Sequence, residues 1–145
     1  MKAPPFLEPL LHPSSGPIGL RNQHGRHLAS IVEGAFDSAS RRKGLLTRSS
    51  FEPGQALVIA PCSGVHTFFM RFAIDVVFVS RDGAVVKVAS HLRPWRVAGA
   101  LRAFAAIELP DGTIETTGTR AGDRLEFVPA SRPGTQEPAK TTRLS

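Results

Sequence analysis

Residues 75 to 90, DVVFVSRDGAVVKVAS, set an Asp-Gly pair between two runs of β-branched residues. Such a pair favours a tight two-residue reversal, because glycine adopts the positive φ that the turn requires. The reversal then fixes the pairing: Arg81 opposite Ala84, Val79 opposite Val86, Val77 opposite Val88 and Asp75 opposite Ser90. Side chains alternate along a strand, and paired residues share a face. One face carries Val77, Val79, Val86 and Val88, with Asp75 and Ser90 at its end. The other carries Val76, Phe78, Val85 and Ala89 together with Lys87 and Ser80. The first face is the drier, which turns Asp75 inward.

A carboxylate in that position must be hydrogen-bonded, paired or protonated. The structural reading has Asp75 accept backbone amides or pair with Arg71. Four extended residues span roughly 13 Å, so pairing with Arg71 requires a bend near Phe72-Ala73. The functional reading makes Asp75 a general base or a ligand anchor at a pocket edge. Buried charges are usually partnered, which favours the structural reading.

The rest of the chain extends this β pattern. HLASIVEGAF (27 to 36) reads as a strand, and Asp37 is placed to cap a short helix over SASRRKGLL, with Arg41 as its charge partner. Further strands fit QALVIAP and residues 65–71, 74–81, 84–90, 103–109 and 124–128, with turns at Arg81-Asp82-Gly83, Pro110-Asp111-Gly112 and Ala121-Gly122-Asp123. TIETTG fits a helical turn or a strand. Twelve prolines, thirteen glycines and nine phenylalanines without a tyrosine suit many turns around an aromatic interior. The expected fold is mainly β, a small barrel or β-sandwich with one or two short helices in a single domain. Residues 27–128 form that domain. Residues 1–26 and 129–145, rich in Pro, Gly and Ser, read as loosely ordered tails.

The net charge of +6 is dispersed; its longest basic run is Arg41-Arg42-Lys43, and acids interrupt the rest. That reads as a solvated surface, with nucleic acid not expected as a partner. A single cysteine excludes an internal disulfide, and no Cys-x-x-Cys pair marks a zinc site. His24 and His27 lack a third ligand and read as a polar loop. No metal and no cofactor are expected. No run reaches the roughly 20 apolar residues of a membrane span, and no secretory signal is recognised, which makes the cytoplasm the expected compartment.

Cys62, His66 and Asp75 invite comparison with a Cys-His-Asp nucleophilic set. On a continuous strand, however, His66 faces with Phe68, Met70 and Phe72, opposite Arg71 and Asp75. Cys62 reads as a buried, inert thiol, and His66 as a half-buried hydrogen-bonded ring. HLRPWR (91 to 96) sets Trp95 between Arg93 and Arg96, either to stack on a ligand or to plug one end of the fold. Glu108 shares a face with Phe104 and Ala106, and is expected to pair with Arg71 or an arginine near Trp95.

The order of GLL (44 to 46), VHTFFMRFAIDVVFVSRDGAVVKV (65 to 88), RPW (93 to 95), IELPDG (107 to 112) and GTRAGDRLEF (118 to 127) resembles the bacterial and archaeal family catalogued as domain of unknown function 192. The resemblance covers roughly residues 28 to 128. It implies a compact, mainly β domain with a short helix near GLL, and no activity or catalytic residue to carry over. Many members look exported or lipid-anchored, whereas this chain shows no recognisable signal. Asp111 stands where the family pattern usually has a small residue.

The favoured functional reading is a non-catalytic module that binds a small molecule or peptide in a cleft bordered by Arg71, Asp75, Arg93 and Trp95. The alternatives are a hydrolase-like enzyme using Cys62 or His66 with Asp75, and a protein-protein interaction domain.

Overall fold

The computed structural model describes residues 4–12, 16–45 and 48–130. The described chain is a single domain, 42% strand and 15% helix, which places it in the mainly β class the sequence implies. Its strands are β1 (Ile18–Asn22), β2 (His27–Ala29), β3 (Ile31–Ala35), β4 (Gln55–Ile59), β5 (Gly64–His66), β6 (Ile74–Val79), β7 (Val85–Leu92), β8 (Val97–Gly99), β9 (Ala105–Pro110) and β10 (Leu125–Pro129). Three short helices accompany them: α1 (Glu8–Leu11), α2 (Ser38–Lys43) and α3 (Thr113–Thr117).

The sheets are open. A five-stranded sheet has the order β3-β4-β9-β6-β7, a three-stranded sheet the order β10-β1-β2, and β5 pairs with β8 as a ribbon. Strands β3 and β4 run parallel, so the chain between them must cross over, and α2 lies in that crossover. Every residue of β6 and β9 is buried, as expected of central strands covered on both faces. On one face Val58, Val77, Val79, Ile107 and Leu109 pack with Leu20, Leu28 and Phe127 of the three-stranded sheet. On the other, Leu57, Ile59, Val76, Phe78 and Ala106 pack with Leu45 and Met70.

The hairpin register departs from the expected one in an informative way. Val77 does face Val88, but Val79 faces Val85, and Phe78 faces Lys87. The Ser80 N–H donates to the Ala84 carbonyl at 2.9 Å, and Gly83 takes φ 86°. Residues 81–83 therefore form a three-residue loop with a left-handed glycine, and the spare residue appears as a bulge between Phe78 and Val79. A second irregularity between Ile74 and Val76 removes the expected Asp75–Ser90 pair.

Gly83 is constrained twice. A Cβ there would lie 2.6 Å from the Phe6 ring and 2.7 Å from the Leu125 carbonyl oxygen. Gly83→Ala is expected to lower stability by about 2 kcal/mol, combining positive-φ strain with overpacking. Urea unfolding measures it, and an unchanged midpoint would contradict this packing.

Residues 1–26 are not uniformly a loose tail. Ile18–Asn22 forms the central strand of the three-stranded sheet, with Leu20 fully buried. Phe6 packs on Phe127 with ring centroids 4.6 Å apart. The apolar signal here is only a few residues long and flanked by Pro and Gly, which hid it. Residues 27–36 are likewise two strands in different sheets, broken at Ser30. At the other end β10 reaches Pro129, and residues 131–145 lie outside the described residues. TIETTG resolves as helix α3.

Candidate functional site

Asp75 is fully buried, and both of its carboxylate oxygens are engaged by main chain. Oδ1 accepts the His91 N–H at 2.8 Å, and Oδ2 accepts the Ile114 N–H at 2.7 Å. Helix α3 begins at Gly112, which has no side chain to cap it, so Asp75 from a distant strand satisfies one of the helix's orphan donors. The same carboxylate holds His91 in a left-handed conformation, φ 52°, at the irregular end of β7. Asp75 thus ties β6, β7 and α3 together. Arg71 is exposed and forms no ion pair with it among the described residues. The chain does bend at Arg71-Phe72, after a tight turn over Thr67–Met70.

The opposite face of the same sheet holds a second buried acid in contrasting surroundings. Asp75 lies across from Leu109, and Val76 across from Glu108, so alternation sends the two carboxylates to opposite faces. Glu108 is 4% exposed, and its Oε2 has no hydrogen-bond partner among the described residues. Burial pushes its carboxyl up to about 7, against a weaker opposing pull from the Arg48 charge. Arg48 itself is held by Glu33 at 2.6 Å. The expected pairing of Glu108 with Arg71 or an arginine near Trp95 does not form among the described residues: Arg71, Arg93 and Arg96 are exposed, whereas Glu108 is buried.

Glu108 lines a cavity of about 560 Å³. Its walls include Leu45, Ile59 and Met70, and α2 contributes Arg41, Arg42 and Lys43. Helix α2 is positioned by its cap: Asp37 Oδ1 accepts the Ser40 N–H at 2.7 Å, and Gly44 ends the helix at φ 44°. Asp37 is thereby occupied, and the expected Asp37–Arg41 pair is absent; Arg41 donates to Ser38 Oγ at 3.3 Å instead. None of the three cations is in an ion pair among the described residues. The run that reads as solvated surface in the sequence therefore borders the cavity, and only the crossover between parallel strands brings it there.

Cys62 and His66 line the same cavity. Cys62 is half-buried rather than sealed; its Sγ donates to the Gly64 carbonyl at 3.0 Å. Burial foremost, and then the Glu108 charge, push its thiol up, the reverse of what activates a cysteine. His66 Nδ1 accepts the Phe68 N–H at 3.3 Å, and the ring stacks on Phe68. A Cys62–His66–Asp75 set is not assembled, since both Asp75 oxygens are taken by backbone amides on the other face.

Trp95 does not plug the fold. It is 56% exposed and packs against Phe68 and Phe69, with centroids 5.7 and 4.7 Å away. Arg71 and Arg93 are exposed like Trp95, whereas Asp75 is fully buried with both oxygens engaged by main chain, so its carboxylate is not presented to a cleft beside them. His24 lies within the β1–β2 loop and His27 opens β2; Asn22 organises the loop by accepting the His24 and Arg26 N–H groups.

The model of the family described as Uncharacterized ACR, COG1430 (DUF192) matches residues 20–127. The UPF0127 protein PYRAB11210 of Pyrococcus abyssi is 35% identical over 104 residues, covering 67% of this chain and 86% of that protein. The UPF0127 protein PF1050 of Pyrococcus furiosus is 42% identical over 66 residues, 45% of this chain, and the match spans only 56% of that relative's length. Among solved structures, a protein of unknown function from Novosphingobium aromaticivorans DSM 12444 superposes with a TM-score of 0.66 at 24% identity, covering 79% of this chain and 89% of that one. R01717 of Sinorhizobium meliloti 1021, provisionally described as a transcription regulator, gives 0.68 at 23%, covering 76% and 91%. These two likenesses establish the fold alone. No helix among the described residues is long and apolar enough to cross a membrane.

Proposed function

We propose that this chain, which belongs to the DUF192 family of uncharacterised proteins, is a non-catalytic module that binds a small molecule in the Glu108 cavity. One observation carries the reading: a carboxyl that is almost wholly buried, with one oxygen unpartnered among the described residues, belongs to a residue lining a cavity of about 560 Å³. Leaving a buried polar group unsatisfied costs about 1–3 kcal/mol, a cost that a bound ligand removes. Structures tolerate such groups mainly where they serve a purpose.

The lining also indicates the ligand's chemistry. Below about pH 7 Glu108 is neutral and has a proton to donate to a ligand. Leu45, Ile59 and Met70 offer apolar walls, and Arg41, Arg42 and Lys43 set positive charge at the border. That combination suits a small organic anion with an apolar body and a hydrogen-bond acceptor at its far end. Binding rather than turnover is favoured because the thiol is held protonated and His66 is turned to its own loop.

Titration calorimetry with a panel of short-chain and aromatic carboxylates tests the reading at pH 6. A ligand that binds the wild type is expected to bind Glu108→Leu at least about tenfold more weakly, the loss of one buried hydrogen bond. Wild-type affinity should also fall between pH 6 and pH 8 as Glu108 loses its proton. Equal affinity in both proteins would remove the cavity as the site.

A further inference from the structure

The turns that flank the β5–β8 ribbon project rings into water that the hydrophobic effect would otherwise bury. Phe69 is 72% exposed, Val97 67% and Trp95 56%. Phe69 and Trp95 hold this position on left-handed backbone, with φ of 67° and 66°. Non-glycine residues persist there only when their surroundings over-determine them, and such strain gathers at functional sites. The determinant is Thr67, which is fully buried. Its N–H donates to the Arg96 carbonyl at 2.8 Å, and its carbonyl accepts the Trp95 N–H at 3.0 Å. Its hydroxyl donates to the Arg93 carbonyl and accepts the Arg96 N–H at 2.9 Å. One threonine therefore locks the two aromatic turns to each other.

The charged residues on the segments that carry these rings are of one sign. Arg71, Arg93 and Arg96 are exposed, and none is in an ion pair among the described residues. Residues 53–74 and 83–107, which supply both turns and both strands of the ribbon, contain no Asp or Glu. We infer that this face docks onto an anionic lipid surface, with Phe69 and Trp95 entering the headgroup layer and the three arginines meeting lipid phosphates. Aromatic rings settle at the membrane–water boundary, and arginines near an anionic surface add attraction one by one. The rings form a protruding cluster, which suits a deformable bilayer. A stacking platform for nucleobases needs free ring faces, whereas Phe68 already stacks on both His66 and Trp95.

Trp95 is the only tryptophan and reports on its own surroundings. Mixed with phosphatidylcholine vesicles containing phosphatidylglycerol, the full chain is expected to show blue-shifted emission and to sediment with the vesicles. Vesicles of phosphatidylcholine alone should bind far less, and added salt should release the protein. Arg93→Ser should weaken binding about fivefold. Phe69→Asn, which suits the left-handed backbone, should weaken it further while far-UV circular dichroism stays unchanged. Wild-type protein that ignores the anionic vesicles would overturn the inference, as would vesicle binding untouched by Phe69→Asn. Tighter binding of a labelled single-stranded oligonucleotide at the same salt would assign the face to nucleic acid instead, and a dimer abolished by Phe69→Asn would assign it to a second copy of the chain.

Discussion

Asp75→Asn is expected to cost about 3 kcal/mol of folding stability, although it removes no bulk. The native carboxylate accepts two backbone amides from segments remote in sequence, His91 and Ile114. Asparagine has a single side-chain oxygen to offer. Its amide nitrogen would point a donor at the remaining N–H, in a site without exposure to water. One charge-assisted bond is lost, and one buried donor is left facing another. Asp75→Ala leaves both amides bare and should cost at least as much. The loss should appear in urea unfolding as a lower midpoint with an unchanged m-value. A cost below about 0.5 kcal/mol, the range of ordinary surface changes, would mean that Asp75 is not the tie between β7 and α3.

The second large effect is a pH dependence of opposite sign to the usual carboxylate case. Glu108 titrates near 7 in the folded chain, against 4.5 for an unperturbed glutamate. Between those values the folded state keeps a proton that the unfolded state has released. Stability is therefore fully present below pH 4.5, and it falls as pH rises through about 7. The full difference amounts to about 3 kcal/mol. Asp37 and Asp82 are shifted the other way, lowered from 3.8 by hydrogen bonds from Ser40 and Ser80, so their influence falls below the Glu108 window. Comparison with Glu108→Gln isolates the contribution: the variant should lack the decline between pH 4.5 and 7. Glu108→Leu should be more stable than wild type at pH 8, where the wild type must bury a charge. Parallel stability curves for wild type and Glu108→Gln would contradict this reading.

The sequence made the burial of Asp75 legible because alternation in β6 and the Asp-Gly turn both speak to it. The Val77–Val88 pair follows from the same two signals. The spacing could not reveal that Gly83 closes a three-residue loop, because Arg81-Asp82-Gly83 is compatible with either loop length until Phe6 and Leu125 fix the glycine's surroundings. The resulting bulges shift Val79 by one partner and leave Asp75 opposite no residue of β7. Helix α2 and its Asp37 cap were visible as a local motif. Their role beside Glu108 was not, since it depends on the parallel β3–β4 crossover, which joins segments remote in sequence. Glu108 could likewise be assigned a face, but not a missing partner. The aromatic turns posed the same difficulty: the Thr67 bonds to Arg93 and Arg96 span 26 and 29 residues.

The two acids buried on opposite faces of the five-stranded sheet, Asp75 and Glu108, therefore divide their labour. Asp75 is satisfied by main chain and holds the fold, while Glu108 has an unpartnered oxygen and lines the cavity. That contrast underlies the assignment of the binding site, and it can be read directly from the carboxyl group. In protein labelled with carbon-13 at the glutamate side-chain carboxyls, the Glu108 resonance, identified by its absence in Glu108→Gln, should titrate with a midpoint of about 7. A midpoint close to 4.5, the value of a solvated glutamate, would contradict the account.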